Sequence, residues 1–459
     1  MSAIPLGISA YNREAAKTWP VFLQNMYVEK DPSNQVDGLL RLQRPVLTRF
    51  YTGSGGSTRG LYQHPGCFGG DYLAVFGNSL HRVTDNGTGT VLGPITGNSR
   101  VIIDASETRA LLATGDLCHA TDGVTVTAIT MPAGEPVGSV AFIDSYFILT
   151  QKDSHRFYWI PPGSMDPDAF DFASVENSPG SIQMVLRFQD ELWFFKESSM
   201  EVWQVTGDLD APFTRIGGRL FERGIANKTT AYVLDNTAFW VGDNGIVNRG
   251  GSSPQRISDH ALEEKIQEAD KDALSGFAFT HQGHTFYQLR IEGKGSFLFD
   301  VENNNWIQWY SYLQPTWRAN IAVQNGNTVI CGDDATPTLW RLDQTLNRDD
   351  GSTPVERLVY GLVTVTGEPQ PCDCVRVICA TGRTKSLTVE PVMELNFCDD
   401  QSGLFDGPWY GIGLGVAGEY GIVTEQRQLG QILPPGRLFA LRCTDDVLFR
   451  VSYARMNED

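Results

Sequence analysis

Three short patterns in this chain carry residue types that could do chemistry. Gly413 to Gly418 reads G-x-G-x-x-G, but no clear strand leads into it and no helix follows, as a dinucleotide-binding turn requires. His281 and His284 flank a turn, yet the sequence places no third metal ligand beside them. Ser154 and His155 are adjacent, but a nucleophile needs a base that a third group orients. The sequence therefore predicts no catalytic, cofactor-binding or metal-binding residue.

The cysteines and the acidic pairs are the other candidates for a metal site. Cys372, Cys374 and Cys379 cluster, but their C-x-C-x4-C spacing differs from the paired C-x2-C spacing of zinc sites. None of the aspartate pairs follows the D-x-D-x-D-G pattern of a calcium loop. Because residues 1–20 lack a secretory leader pattern, we expect the eight cysteines to be reduced and mostly buried.

The elements that position these residues come from a repeated pattern of apolar strand, tight polar turn and apolar strand. The pattern occurs seven times, and its turns are 36 to 50 residues apart. This period, with several short strands in each unit, is typical of a β-propeller. The sequence predicts an all-β fold with a propeller of about six or seven blades over residues 60–345. The turn positions are Gly77, Gly115, Gln151, Lys196, Gly242, Glu292 and Gly332.

Three segments do not fit the repeat. Residues 1–59 predict an extended arm that either completes the propeller or reaches a neighbouring molecule. A helix is predicted near residues 258–276, with Leu262 and Ile266 on its apolar face, and it is either a solvated insertion or a docking surface. After a polar linker, longer strand patterns predict a β-sandwich-like domain over residues 354–459.

The charge of the chain limits its function. Lysine and arginine number 36 against 54 acidic residues, which gives a net charge of -18. A protein that grips nucleic acid presents a basic groove, and none is visible in this sequence. An acidic wall along which DNA slides without sticking remains compatible with this charge, as does simple solubility. No run of about 18 apolar residues occurs, so we expect no membrane span.

Aromatic residues leave a second interpretation open, a carbohydrate-binding or carbohydrate-cleaving propeller. Glycosidases need two carboxylates across a cleft, and the sequence cannot pair its many acids. The WD dipeptide of WD40 repeats is absent, which disfavours a third reading, a cellular interaction propeller. One group of aromatic residues could stack on sugar rings or could instead fill a blade core: Trp306, Trp309, Tyr310, Tyr312 and Trp317.

The chain resembles the packaged-DNA stabilisation proteins, or tail hubs, of short-tailed bacteriophages (podoviruses). The first matching segment runs from Leu23 to Gln63 and includes NMYVE. The second runs from Phe279 to Asp343 and includes FLFD, NWIQW and LWRLD. A third segment, Arg427 to Cys443, is less specific. Together these segments cover about a third of the chain, and the order of the repeats extends the likeness to most of it.

The resemblance implies a structural role without catalysis. Such proteins form a hexameric ring below the portal and its adaptor ring, extend the DNA channel and retain the packed genome. They also present surfaces for the tail needle and for tailspikes or fibres. The resemblance further implies a location in the virion tail after assembly in the host cytoplasm, with DNA passing through the channel without sequence-specific contacts.

If rings form, we expect the arm, the helix and the C-terminal domain to make the contacts. Extended chain ends often lock onto neighbouring subunits, so the arm is the strongest candidate. The predicted partner-contact residues are Tyr27, Glu29, Arg59, Leu262, Ile266 and Arg427.

Overall fold

Seven four-stranded antiparallel blades are arranged around one axis as a β-propeller, six of them as separate sheets and one as part of a nine-stranded sheet. The structure, a computed structural model, describes residues 2–11, 19–251, 253–400 and 402–457. Residues 1 and 12–18 of the predicted arm lie outside this description. The prediction of an all-β fold with a propeller is confirmed.

The blades follow one another along the chain, and each runs from its inner to its outer strand. Blade 1 comprises Thr58–Tyr62, Tyr72–Phe76, Ser79–Val83 and Gly89–Pro94. Blade 2 comprises Ile102–Ala105, Ala110–Ala113, Cys118–Thr121 and Val126–Ile129. Blade 3 comprises Val137–Ile143, Tyr146–Gln151, Arg156–Ile160 and Phe172–Ser174. Blade 4 comprises Ile182–Phe188, Glu191–Lys196, Met200–Val205 and Phe213–Phe221.

Blades 5 to 7 complete the ring. Blade 5 comprises Tyr232–Leu234, Thr237–Val241, Val247–Gly250 and Gln255–Arg256. Blade 6 comprises Leu274–His281, His284–Ile291, Gly295–Asp300 and Asn305–Gln308. Blade 7 comprises Ala319–Asn325, Thr328–Asp333, Thr338–Asp343 and, from the arm, Val46–Thr52.

The second strand of a blade is apolar throughout because both of its faces are buried. Every residue of Tyr72–Phe76 is buried. Leu73 and Val75 pack against blade 2, whereas Ala74 and Phe76 pack against blade 7. Successive side chains of a strand point to opposite faces, so each blade contributes to two interfaces. The seven repeats in the sequence are the second and third strands of the seven blades, with the turns near the positions that the repeats mark.

The arm closes the propeller by supplying the outer strand of blade 7. Val46–Thr52 pairs antiparallel with Thr338–Asp343, with Val46 opposite Asp343 and Thr52 opposite Thr338. The inner strand of blade 7 also contacts the inner strand of blade 1. Of the two roles that the sequence leaves open for the arm, this segment performs the first, completion of its own propeller.

Other arm strands belong to a two-sheet sandwich with the C-terminal strands. One sheet continues outward from blade 6 in the order Leu23–Gln24, Arg357–Thr364, Gly436–Cys443, Val392–Cys398 and Tyr410–Gly413. The other has the order Met26–Lys30, Leu39–Gln43, Arg450–Met456, Cys374–Cys379 and Glu425–Arg427, and Ser2–Ile4 also pairs with Arg450–Met456. A small ladder joins Gln370–Pro371 to Gln431–Ile432. Strand pairing thus crosses the predicted domain boundaries at residues 59 and 354. The arm, blades 6 and 7 and the C-terminal strands also share one hydrophobic core cluster.

The α-helix among the described residues is shorter than the sequence predicts. It spans His260–Gln267, and the Asp259 side chain caps it by accepting from the Leu262 backbone N–H. Gly276, predicted as its end, lies in the inner strand of blade 6, where a Cβ atom would lie 2.7 Å from the Tyr287 hydroxyl. Short 3-10 turns occur at Phe68–Gly70, Lys228–Thr230 and Lys271–Ala273. No helix in the described ranges is both long and apolar enough to cross a membrane.

A buried histidine joins the arm to blade 6 and gives a pH-dependent prediction. His284 Nδ1 lies 3.0 Å from Asp300 Oδ2, and its ring contacts Tyr27 of the arm. Burial acts to lower the pKa of His284, but the hydrogen bond and the attraction of Asp300, with Glu29 and Glu302 nearby, raise it above its usual value. A group whose pKa is raised on folding stabilises the folded state fully at pH values below its unfolded-state pKa, which is about 6.5 for histidine. This stabilisation is lost as the pH rises through the folded-state pKa.

We therefore expect the stability advantage of the wild type over His284→Gln to be larger at pH 6 than at pH 9. Denaturant titrations of both proteins at the two pH values measure it. An advantage that does not change between the two pH values would contradict a protonated His284 in the fold.

Candidate functional site

The propeller axis is the first place where DNA could pass, and it is narrow. Inner-strand residues of all seven blades, such as Leu61, Ile103 and Ile321, surround an axial cavity of about 440 Å³. This volume is too small to hold a segment of duplex DNA, whose major groove alone is about 12 Å wide and 8.5 Å deep. Duplex DNA therefore does not pass along the axis of a single propeller.

Ionisable side chains interrupt the apolar wall of this axial cavity. Asp104 accepts hydrogen bonds from the backbone N–H groups of Phe142 and Ala105. Burial raises the pKa of Asp104 to about 6, although these hydrogen bonds and Arg187 act in the opposite direction. The Tyr62 hydroxyl also donates to Asp104, at 3.4 Å, and no described cation lies at ion-pair distance from the carboxylate. Asp104 is therefore a hydrogen-bonded residue of the cavity wall.

Three of the predicted contact residues are core residues of the subunit. Tyr27 is 0% exposed and its ring packs on His284 and Phe286, and its hydroxyl donates to Gln282 Oε1. Leu262 and Ile266 are buried in the core between blades 5 and 6. The apolar face of the helix is thus covered by its own propeller and offers no surface to a partner, which corrects the prediction for these residues.

Arg59 is also largely buried, and it organises loops within the chain. Its guanidinium donates to the carbonyl oxygens of Ser99, Gly77 and Thr96 and to Asn78 Oδ1. Burial lowers the pKa of Arg59. The side chain joins blade 1 to the start of blade 2, so a role in direct partner contact gains no support from its geometry.

Glu29 and Arg427 are exposed and stay predicted contact residues. They lie on the two edge strands of one sandwich sheet, Met26–Lys30 and Glu425–Arg427. Arg427 Nε lies 2.7 Å from Glu425 Oε1, and its side chain is 65% exposed. Exposed surface pairs of this kind contribute little to stability, which leaves both positions available for a partner.

The aromatic residues that suggested sugar binding are mostly core residues. Trp309 and Trp317 are 0% exposed and their rings pack at 5.1 Å, and Trp306 is 4% exposed. Tyr312 is the exposed member at 37%. A stacking platform needs several exposed rings side by side, so the carbohydrate alternative loses the observation that motivated it.

The residues of the three sequence patterns that could do chemistry instead make local structural hydrogen bonds and ion pairs. Gly413 to Gly418 follows an edge strand, and the Glu390 carboxylate occupies its loop by accepting from the Gly415 N–H. His281 bonds to Gln344 and His284 to Asp300, so the two histidines do not converge. His155 pairs with Glu176, and Ser154 accepts from a backbone N–H of its own turn. Within the described ranges, no cluster of three potential ligands could hold a metal ion.

Sequence reasoning missed two groups of residues that the structure brings together. Loops of the sandwich present an apolar surface that includes Leu387, Val389, Tyr420 and Val423, each more than half exposed. These loops touch through the Ala417 N–H, which donates to the Ser386 carbonyl. The second group is a set of cations at one mouth of the axial channel, contributed by residues that precede inner strands. The only sequence signal was a basic residue directly before a strand pattern, as in Arg100.

Comparison with known proteins gives one family. The family model described as bacteriophage P22 Gp10, beta-propeller matches residues 2–347, which contain the arm and all seven blades. No curated protein matches the chain significantly. The C-terminal strands from Arg357 onward lie outside the matched residues.

Two solved structures of low sequence identity align with the chain over about two thirds of its length. A catalytically inactive virginiamycin B lyase from Staphylococcus aureus, solved with quinupristin, is 12% identical with a TM-score of 0.45, covering 66% of this chain and 99% of its own. The Pan2 WD40 domain of Neurospora crassa is 8% identical with a TM-score of 0.44, covering 65% of this chain and 96% of its own. Neither likeness bears on function. The match to the family model covers about three quarters of the chain and does bear on function. The chain belongs to the family of the bacteriophage P22 Gp10 β-propeller, the packaged-DNA stabilisation proteins of short-tailed phages, and is a structural protein of the phage tail.

Proposed function

We propose that this protein assembles into a ring, expected to be a hexamer, beneath the portal and its adaptor ring. The ring extends the DNA channel and keeps the packaged genome in the head. The observation that carries this proposal is the propeller axis, where inner-strand side chains of all seven blades leave a cavity of only about 440 Å³. Because duplex DNA does not fit through one subunit, a channel must be formed between subunits. The role is structural, and no catalytic step is part of it.

The charge of the chain suits a channel wall. With a net charge of -18, the surface repels the DNA backbone and gives it no continuous basic groove in which to stick. DNA then passes without sequence-specific contacts, and retention depends on the closed ring and its plug of partner proteins. We propose assembly in the host cytoplasm before the tail is completed.

The sandwich is the proposed attachment surface for further tail proteins. Its exposed apolar residues Leu387, Val389, Tyr420 and Val423 surround loops that connect the two sheets. Exposed apolar patches of this kind commonly mark protein interfaces. We propose that the tail needle and tailspikes or fibres bind on this side of the subunit.

A DNA-retention assay tests the proposal directly. Purified protein is added to DNA-filled heads from particles that lack its gene, and the heads are then treated with nuclease. We expect the protein to co-sediment with the heads and to make their DNA resistant to nuclease. Heads that neither bind the protein nor gain protection would overturn the proposal.

Charge reversals test the predicted contact residues in a separate measurement of ring formation. We expect the double variant Glu29→Arg and Arg427→Glu to reduce ring formation, measured by sedimentation velocity against the 50.7 kDa subunit. The matched control Glu222→Arg and Lys385→Glu reverses one charge of each sign at other exposed positions and should assemble as the wild type does. Equal assembly of both double variants would remove Glu29 and Arg427 from the proposed interface.

Deletion of residues 2–30 is not a clean test of the arm. It removes Ser2–Ile4, Leu23–Gln24 and Met26–Lys30, which are strands of the sandwich. Loss of head attachment in that deletion would therefore follow from a damaged sandwich as well as from a lost contact. Substitution of exposed arm residues avoids this ambiguity because the strands stay paired.

A further inference from the structure

One mouth of the propeller axis contains a cavity of about 800 Å³, at the end where the inner strands begin. Residues at or just before the inner strands of several blades form its wall, among them Arg59, Arg100, Lys228, Leu274 and Asn320. Small-molecule sites typically enclose about 300–1,000 Å³. The cavity therefore has the size of a ligand site, and it is distinct from the proposed contacts between subunits.

Two cations in this wall are bonded only to neutral groups. Arg100 Nη1 donates to the Asn320 carbonyl oxygen at 2.8 Å, which uses one of its five N–H donors. Lys228 Nζ donates to the Gly138 carbonyl oxygen at 3.0 Å, across the mouth to blade 3. Among the residues that the structure describes, neither side chain forms an ion pair with a carboxylate. Neither cation thus has a direct ion-pair partner, although Asp116 and Asp153 attract Lys228 from a greater distance.

The other charged residues of the wall do not supply the missing counter-charge. Arg59 is held by carbonyl oxygens and is a third cation at the mouth. Asp334 and Glu292 both pair with Arg290, at 2.7 and 3.2 Å. Asp272 is exposed at the rim. The interior of the cavity thus stays positive in a chain whose net charge is -18.

The electrostatics of the mouth favour a bound anion. Burial lowers the pKa of Arg100 to about 10, and burial followed by repulsion from Lys152 lowers the pKa of Lys228. Arg100 remains protonated at neutral pH while it has lost part of its hydration. Hydrogen bonds between charged partners are stronger than those to neutral carbonyls, so an anion would compensate for the lost water.

An unpartnered acceptor narrows the class of anion. The side-chain oxygen of Asn320 is buried and has no hydrogen-bond donor among the described residues. A protonated phosphate can donate its O–H group to this oxygen, whereas a carboxylate or sulfate ion at neutral pH has no proton to donate. The guanidinium of Arg100 also matches the geometry of phosphate oxygens.

We propose that this cavity binds a phosphoryl anion, held by Arg100 and Lys228 in the positive potential of Arg59. The anion is a free phosphate compound that keeps an O–H group at neutral pH, because a DNA phosphodiester has no proton to donate to Asn320. The proposal does not depend on ring formation, and binding is measurable on the isolated subunit.

Isothermal titration calorimetry at pH 7 and low salt tests it with two probes, pyrophosphate and a single-stranded hexanucleotide at the same phosphate concentration. We expect the double variant Arg100→Met and Lys228→Met to bind at least tenfold more weakly than the wild type. Lys385→Met removes an exposed lysine of the sandwich and should bind as the wild type does. Melting temperatures of all variants show whether the fold is intact.

The outcomes separate the sources of the anion. Binding of pyrophosphate that is lost in the double variant supports the proposed site. Binding of the oligonucleotide as tight as that of pyrophosphate, or tighter, would contradict a protonated phosphate that donates to Asn320. If neither probe binds, or if the folded double variant binds as well as the wild type, the proposal is wrong. If the double variant does not fold, the ³¹P NMR signal of pyrophosphate is measured with and without wild-type protein. A signal that broadens when the protein is added supports the proposal, and an unchanged signal overturns it.

Discussion

Replacing Asp349 with asparagine is expected to lower the free energy of unfolding by about 3–5 kcal/mol. Asp349 accepts two hydrogen bonds from Arg44, at 3.1 and 2.7 Å, and a third from the Leu47 N–H. Arg44 is 0% and Asp349 2% exposed. The substitution leaves a buried guanidinium without a counter-charge, which costs far more than the loss of an exposed pair.

The position of this pair makes the effect structural as well as energetic. Arg44 directly precedes the arm strand Val46–Thr52, which closes blade 7, and it also donates to Asn25 Oδ1. Asp349 lies in the linker between blade 7 and the sandwich. Loss of the pair therefore loosens the closing strand, and we expect the arm to become sensitive to protease before the other blades unfold.

The neighbouring residue provides a matched control. Asp350 pairs with Arg49 at 2.7 Å, but these side chains are 31% and 56% exposed. Asp350→Asn makes the same chemical change, so we expect a loss below about 1 kcal/mol. Guanidinium denaturation followed by tryptophan fluorescence compares the two variants. Equal losses would mean that burial of the Arg44–Asp349 pair does not determine its energetic role.

Replacing Lys196 with methionine is the second substitution with a large expected effect, again about 3–5 kcal/mol. Lys196 and Glu201 lie in adjacent strands of blade 4, are each 0% exposed, and approach to 3.8 Å. Burial lowers the pKa of Lys196, and Glu201 partly offsets this. Neither carboxylate oxygen of Glu201 has a hydrogen-bond donor in the described ranges, so Lys196 is its source of charge compensation.

The lysine also satisfies two backbone groups, because its ammonium donates to the carbonyl oxygens of Val175 and Ser178. These carbonyls belong to the end of blade 3, so the substitution weakens a blade interface. We expect the double variant Lys196→Met and Glu201→Gln to recover part of the loss, since no buried charge is then unpaired. A double variant as unstable as the sum of both single variants would contradict this coupling.

Lys152→Met serves as the control for the second prediction. Lys152 pairs with Asp116 at 2.8 Å, but both side chains are well exposed, at 41% and 65%. We expect a loss below about 1 kcal/mol for this variant under the same denaturation conditions. The comparison separates removal of a lysine as such from removal of a buried charge partner.

The sequence by itself determined the positions of the blade hairpins and predicted about six or seven blades, and the structure has seven. Strand pattern and turn chemistry are local, so Gly77 and its six counterparts marked seven hairpins that all occur near those positions. Gly77 adopts a φ of 50°, a backbone conformation that favours glycine in a tight turn. Such requirements act within a few residues, and a single sequence is enough to recognise them.

The family resemblance was carried by the same local signals, with NMYVE in the arm and LWRLD in blade 7. Both segments are now seen in defined strands, Met26–Lys30 and Thr338–Asp343. The sequence could not tell which faces of these strands are covered. Tyr27, Leu262 and Ile266 were predicted to contact partners because they lie in the arm and the helix. In the structure Tyr27 packs against blade 6, and Leu262 and Ile266 are buried between blades 5 and 6.

Only the tertiary structure decided how distant segments combine. Arg44 and Asp349 are 305 residues apart, and Lys228 reaches the Gly138 carbonyl across 90 residues. The arm strand closes blade 7, and other arm strands enter the sandwich, although nothing near residue 46 in the sequence identifies its partner. Strand pairing and buried charge pairs depend on side chains that meet only after the ring has closed, and that non-local geometry is the physical reason why the sequence leaves them open.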